Sequence, residues 1–237
     1  MCLYKSKNQE IKITSLSEYI QKIQEIKEKY NQKNYDLLFR GQETDFKLIP
    51  KIQRLTSKIS DLHKCEKLIT KEFKRNLENI DWAENKEWRL FTLAQHYGLP
   101  TRFLDWSYSA LSALWFSVKK AHKNTKNTFV YVMTTENISV WNDWENFKSP
   151  FDIDKILIYR PDAITERIKA QNSVFTVHPI QLKNIYIQEN SDYKIFKFFI
   201  NNPYEIKKQL DDCGINEYSI FPDLTGLCSY LQWRYFK

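Results

Sequence analysis

The chain is poor in glycine, cysteine and methionine. Its 237 residues include four glycines, four cysteines and two methionines. The cysteines lie far apart, without a Cys-x-x-Cys pair, and the four histidines are equally scattered. These spacings indicate neither a disulfide framework nor a zinc site. We therefore expect a protein that holds no metal.

Long hydrophobic runs are also missing from the sequence. No apolar stretch approaches the roughly 18 residues that a membrane-crossing helix requires. The segment that begins at Met1 lacks the apolar core of a signal peptide. We therefore expect a cytoplasmic protein without a membrane partner.

Aromatic side chains and basic charge are abundant. The sequence is 42% hydrophobic and 15% aromatic, which is enough for a substantial core. The formal net charge is +7, and residues 47–75 carry nine basic side chains against three acidic ones. Such a segment predicts a surface that holds a polyanion such as RNA or DNA, or else a solvated helix face. The residues assigned to this surface are Lys51, Arg54, Lys58, Lys71, Lys74 and Arg75.

Apolar periodicity predicts helices and strands in an irregular order. Helices are expected over residues 14–33, 58–79, 87–97, 107–121, 164–170, 204–212 and 222–231. Short apolar runs predict strands at 35–41, 129–133, 156–161, 173–179, 185–187 and 194–200. Strands between helices of uneven length indicate the α+β class. With no flexible linker and no internal repeat, we expect one compact domain at 35–237, preceded by a helical segment at 1–34.

The most informative stretch is QHYGLPTRFLDWS, from Gln95 to Ser107. It gathers a His, an Arg, an Asp and a Trp around a Gly-x-Pro bend. Polar side chains at this density favour a binding site on a loop that rigid elements hold in place. The structural alternative is a buried, hydrogen-bonded turn between two helices.

A second candidate lies at the end of the predicted strand 35–41. There Arg40 is followed by Gly41. A guanidinium pairs bidentately with phosphate oxygens, and a glycine permits close approach of the backbone to a ligand. Arg40 is therefore a candidate ligand of a pyrophosphate, and pairing with a structural carboxylate is the alternative.

These two segments together resemble the FRG family, which is named for the tripeptide Phe39-Arg40-Gly41. The resemblance runs from about residue 39 to residue 231 and includes further similar segments, namely Ala110-Leu111, Trp115-Phe116, Arg167-x-x-Ala170-Gln171 and Phe221-Pro222-Asp223-Leu224. Asn172-Ser173 stands where the family usually has a glycine turn. Asparagine tolerates the left-handed geometry that such a turn requires.

The arrangement of this family is in turn similar to that of ADP-ribosyltransferases. The resemblance implies a single α+β domain with a mixed central sheet and a helical N-terminal part. It also implies that the protein consumes NAD. The expected activity is that of a toxin that attaches ADP-ribose to nucleic acid, with RNA favoured over DNA. The toxin is expected to act in phage defence and to be held in check by an antitoxin.

The resemblance also assigns roles to individual residues. The implied catalytic residues are Arg40, His96, Asp105 and Gln171. The implied cofactor-binding residues are Arg40, Gly41, Thr101, Arg102, Trp106 and Ser107. Because a neutral Gln171 cannot act as a base, proton transfer is left to Asp105, His96 or Glu166, or is not needed. Asp105 has a structural alternative as the partner of Arg102 or as the cap of the helix near Ser107.

Two other functions are open from the sequence. The same NAD site with water as the acceptor would make an NAD glycohydrolase. If the polar block is structural, the chain is instead a non-catalytic module that binds nucleic acid or protein.

Overall fold

The computed structural model describes residues 10–30, 36–77, 85–135, 143–162, 165–180 and 194–236. Its strands are β1 (Glu10–Ile13), β2 (Asp36–Gln42), β3 (Phe103–Ser107), β4 (Thr128–Thr135), β5 (Leu157–Tyr159), β6 (Ser173–Val177) and β7 (Ile195–Ile200). Its helices are α1 (Leu16–Tyr30), α2 (Lys51–Arg54), α3 (Leu62–Arg75), α4 (Lys86–His96), α5 (Ala110–Val118), α6 (Glu166–Ala170), α7 (Pro203–Asp212), α8 (Glu217–Ile220) and α9 (Leu224–Tyr235). No helix among these residues is long and apolar enough to span a bilayer.

The strands form one seven-stranded sheet in the order β1-β7-β4-β2-β3-β6-β5. β1 runs parallel to β7, and the other neighbouring strands are antiparallel. The sheet is therefore mixed, and the predicted α+β class is confirmed.

The N-terminal segment belongs to this sheet and to its core. β1 pairs with β7, and α1 buries Tyr19, Ile23 and Ile26 in the cluster that also contains Phe198 of β7. The Tyr19 hydroxyl donates to the main-chain carbonyl of Ala110, at 2.8 Å, at the start of α5. The hydrophobic core thus continues across the expected boundary at residue 34, while residues 31–35 lie outside the described part of the chain.

The centre of the sheet is split between β2 and β3. Among the described residues these strands form a single register pair, Phe39 with Ser107. By contrast, β2 pairs with β4 along all 7 of its residues, and β3 pairs with β6 along all 5. The chain after Phe39 therefore diverges from β3, which leaves a gap in the middle of the sheet.

The structure corrects several sequence-based boundaries. The bend before Ser107 was expected to be a loop that leads into a helix, but residues 103–107 form strand β3 and α5 begins only at Ala110. The Ser109 hydroxyl accepts from the Ser112 N–H and so fixes that start. Strand β1 and helix α8 were not expected. The strand predicted at 185–187 lies outside the described residues.

Helix α3 faces the core differently from its apolar pattern. The helical spacing of its apolar residues, Leu62, Cys65, Leu68, Ile69 and Phe73, predicts a buried side that includes Leu68. The Leu68 side chain is instead 50% exposed. The buried residues of this helix are Glu66 and Thr70. The reason is electrostatic, because Glu66 is the partner of the fully buried Arg102.

Candidate active site

A cleft of about 400 Å³ lies at the split in the sheet. Residues of β2 and β3 line it, together with residues of α4, α5 and α6. Four predicted catalytic residues line it, namely Arg40, His96, Asp105 and Gln171. The structure therefore brings together residues that are far apart in the sequence.

Arg40 bridges the split. Its Nη1 donates to the main-chain carbonyl of Asp105 at 2.6 Å and lies 3.7 Å from the Asp105 carboxylate. The Arg40 side chain is 14% exposed. Burial lowers the pKa of the guanidinium and the Asp105 charge partly offsets this effect, but an arginine remains charged at neutral pH. The Asp105 side chain is 57% exposed, so this ion pair does not seal the cleft.

The Asp105 carboxylate is held by a short chain of hydrogen bonds. Gln95 Nε2 donates to Asp105 Oδ2 at 2.8 Å, and Thr101 Oγ1 donates to Gln95 Oε1 at 2.6 Å. Because Gln95 is fixed by Thr101, the carboxylate has a defined orientation beside Arg40. Both structural alternatives for Asp105 are wrong, since its ionic partner is Arg40 and the cap of α5 is Ser109.

Gln171 reaches the cleft from the end of α6. Its main-chain carbonyl accepts from Ser107 Oγ at 2.6 Å, and its side-chain Nε2 donates to the carbonyl of Ile220 at 3.3 Å. Asn172 adopts a positive φ of 45° in the following turn, which is the geometry for which the family's glycine is suited. The substitution of asparagine for glycine thus keeps the turn.

His96 and Arg167 also line the cleft. Burial lowers the pKa of His96, and the positive charge of Arg167 lowers it further. His96 is therefore a neutral imidazole at pH 7, which is able to accept a proton. The Arg167 guanidinium lies 3.9 Å from the ring centre of Phe221, over the ring face.

Two predicted cofactor ligands do not reach the cleft. Thr101 and Arg102 are both fully buried. Arg102 donates to Glu66 through Nε at 2.9 Å and through Nη2 at 2.7 Å, and its Nη1 donates to the carbonyl of Pro150. The expectation of a second phosphate contact from Arg102 is wrong, because its guanidinium holds α3 against the start of β3. The Thr101 hydroxyl donates to Gln95 and accepts from the main-chain N–H of Phe103.

Three further predicted ligands line the cleft but are engaged elsewhere. The Trp106 indole is 3% exposed and donates to Thr176 at 3.1 Å, so it cannot stack on a ligand. Ser107 ties β3 to Gln171 and accepts from the Ser109 N–H. At Gly41 an added Cβ would lie 1.9 Å from the Ala113 carbonyl oxygen. This glycine therefore permits close packing of β2 against α5, where a close approach to phosphate was expected.

The basic surface meets the cleft at one residue, Arg54. Lys58, Lys71 and Lys74 are exposed, whereas Lys51 donates to the carbonyl of Gly98 at 2.9 Å and Arg75 pairs with Glu72. Nucleic-acid binding by this surface stays a prediction. No group of His, Cys, Asp and Glu within the described ranges is arranged to hold a metal ion.

The cleft carries an excess of positive charge that the sequence did not fully indicate. Its basic residues are Arg40, Arg54, Lys119 and Arg167, against the acidic Glu43 and Asp105. Sequence reasoning missed Gln95 and Lys119, and it gave Arg167 no role. A signal existed for two of them. Gln95 opens the polar block. Arg167 stands four residues before Gln171, and this spacing places Arg167 and Gln171 on one side of a helix.

Several buried N–H donors at the cleft have no hydrogen-bond partner among the described residues. They are Arg40 Nε, Gln42 Nε2 and Arg167 Nε. A buried donor without a partner is costly, and in a native structure it calls for an explanation. All three residues line the cleft, which is consistent with a site that is completed by an acceptor-rich ligand.

A comparison with family models identifies the class of the domain. The FRG domain model matches residues 35–126, from the start of β2 to just before β4. Residues 35–126 therefore carry an FRG domain, which confirms the predicted family over this part of the chain. No curated protein and no solved structure matches the chain with significance. Arg167 and Gln171 lie beyond the matched residues.

Proposed function

We propose that the chain is an ADP-ribosyltransferase that consumes NAD in the cleft between β2 and β3. The observation that carries this proposal is the meeting of Arg40, Asp105 and Gln171 at one cavity. Arg40 and Asp105 are 65 residues apart in sequence, and Gln171 follows 66 residues later. A purely structural ion pair would not need an open cleft of this size beside it.

The size and charge of the cleft suit a dinucleotide. Its volume of about 400 Å³ falls in the range of typical ligand sites, roughly 300–1,000 Å³. In our proposal the guanidinium groups of Arg40 and Arg167 hold the pyrophosphate, because planar donors pair well with phosphate oxygens. Arg167 thus takes the place that the sequence had suggested for Arg102.

The proposed reaction breaks the bond between the nicotinamide nitrogen and ribose C1′. The electron pair leaves with the nitrogen, and an oxocarbenium-like ribose remains. The Asp105 carboxylate, oriented by Gln95, stabilises this positive charge. The acceptor then attacks C1′ and gives its proton to the neutral imidazole of His96, while the Gln171 amide orients the ribose or the acceptor.

The proposed acceptor is nucleic acid, with RNA favoured over DNA. Arg54 belongs to the basic segment 47–75 and also lines the cleft, so a polyanion on this surface would lead directly to the reacting centre. An enzyme of this kind harms the cell that makes it. We therefore also propose a toxin of phage defence, restrained by an antitoxin protein in the cytoplasm.

Labelled NAD tests the proposal. The chain is incubated with NAD labelled in the adenylate moiety and with RNA or DNA, and the Asp105→Asn variant serves as the inactive control. We expect label on the nucleic acid, and far less label with the variant. Free ADP-ribose without an adduct would make the chain an NAD glycohydrolase. Intact NAD under all conditions would leave a non-catalytic binding module.

A further inference from the structure

An exposed phenylalanine also lines the cleft. Phe46 follows β2, lines the cavity and is 53% exposed. It belongs to neither the polar block nor the basic set, and the sequence gave it no role. A large aromatic ring that faces a cavity offers a flat surface on which a planar ligand can stack.

The turn that carries Phe46 is held in position by contacts with the sheet. The main-chain N–H of Phe46 donates to Gln42 Oε1 at 3.1 Å. The preceding residue, Asp45, accepts from the Tyr131 hydroxyl at 2.6 Å and forms an ion pair with Lys197. Because both contacts tie this turn to the sheet, the backbone that carries the Phe46 ring is preorganised, which lowers the entropic cost of binding.

A guanidinium stands beside the ring. The Arg54 guanidinium carbon lies 5.7 Å from the centre of the Phe46 ring, and Arg54 also lines the cleft. Arginine and phenylalanine are both side chains on which nucleobases stack. Gln42 adds a hydrogen-bonding group, because its buried Nε2 has no partner among the described residues.

We propose that Phe46 and Arg54 form a subsite that binds a nucleobase by stacking. This inference rests on the proposed function, which supplies two sources of a base, namely the adenine of NAD and a base of the nucleic-acid acceptor. The shared chemistry is a planar heteroaromatic ring next to a phosphate. Phe46 supplies the stacking face, and Arg54 supplies a cationic contact.

The test measures binding by titration calorimetry with three probes, namely NAD, AMP and a single-stranded oligonucleotide. The variants are Phe46→Ala, Phe46→Leu and Phe46→Trp. Loss of the aromatic face in the first two should weaken binding roughly tenfold or more, while the third should retain it. The matched control is Leu55→Ala, since Leu55 follows Arg54 in the sequence and is 48% exposed but does not line the cleft.

The pattern of losses identifies the source of the base. Weaker binding of NAD and AMP assigns the subsite to adenine, and weaker binding of the oligonucleotide alone assigns it to the acceptor. Unchanged affinities in Phe46→Ala and Phe46→Leu would overturn the inference, as would a wild type that binds none of the probes. The proposed function is judged separately by labelled NAD, so the subsite can fail while the proposed function stands.

Discussion

The guanidinium of Arg40 donates a 2.6 Å hydrogen bond to the main-chain carbonyl of Asp105 across the split in the sheet. In a continuous sheet, a carbonyl at this edge of β3 would face a main-chain N–H of β2. Here a charged side chain takes that position, and beyond it the strands diverge. The same contact therefore joins β2 to β3 at the cleft and places the Arg40 cation beside the Asp105 carboxylate.

Asp105 is expected to contribute to the chemical step. Asp105→Asn keeps the shape of the side chain and an acceptor for Gln95, but it removes the negative charge that would stabilise the oxocarbenium. We expect kcat to fall roughly 100-fold or more, with little change in the affinity for NAD. Initial rates over a range of NAD concentrations separate the two effects. An equal loss of kcat in Glu43→Gln, the other cleft carboxylate, would argue against this assignment.

His96 should give the protein an acid-side pH dependence. Burial and Arg167 lower the pKa of His96 in the folded state, below its value of about 6.5 in the unfolded chain. Folding thus favours the neutral form of His96. The contribution of His96 to the free energy of unfolding is therefore fully present above pH 6.5, and it is lost as the pH falls through the folded-state pKa.

His96→Gln should reduce this loss of stability below pH 6.5, as measured by urea unfolding at several pH values. If His96 is also the base, the variant should lose the acid limb of the pH–rate profile together with much of its rate. A variant that keeps the wild-type acid limb would assign the base to another group.

Gly41→Ala should be strongly destabilising. The new methyl group would lie 1.9 Å from the Ala113 carbonyl oxygen and 2.6 Å from the Ser117 nitrogen, both in the backbone of α5. We expect a loss of about 3 kcal/mol or more in the free energy of unfolding. The matched control is Gly98→Ala. Gly98 has a φ of +82°, and a Cβ added there would meet no atom within 4 Å. We expect this variant to lose about 1–2 kcal/mol in the free energy of unfolding. Equal losses would contradict the packing role.

Glu66 and Glu72 provide a matched pair of acidic residues on α3. Glu66→Gln leaves the fully buried Arg102 without its ionic partner, and we expect a loss of about 3–5 kcal/mol. Glu72→Gln breaks an exposed pair with Arg75 and should lose less than about 1 kcal/mol. Chemical denaturation of both variants measures the difference, and similar values would rule out Arg102–Glu66 as the anchor of α3.

The sequence predicted elements whose signal is local. β2 and β4 are short apolar runs, and α1 has regular helical spacing, so each was found within a few residues of its bounds. Strand β3 was missed because Asp105 and Ser107 face the cleft and interrupt its apolar pattern. Strand β1 was missed because its main support is pairing with β7, nearly 190 residues away in sequence.

The candidate site was only partly predictable. The sequence picked out Arg40, Asp105, His96 and Gln171, but it also selected Arg102 because it stands in the same dense segment. Whether an arginine faces a cavity or a buried carboxylate depends on a residue from another helix, here Glu66 of α3. Phe46 and Arg54 were not linked because their proximity follows from the turn after β2.

The most direct test is the binding of NAD to wild type and to Arg40→Ala and Arg40→Lys. At about 100 times its dissociation constant, NAD should stabilise the wild type by roughly 2.7 kcal/mol, which raises the Tm measurably. Arg40→Ala should bind roughly 10- to 100-fold more weakly, and Arg40→Lys should recover only part of the affinity because it lacks the planar pair of donors. A wild type whose Tm does not respond to NAD, or an Arg40→Ala variant that responds equally while remaining folded, would contradict the account.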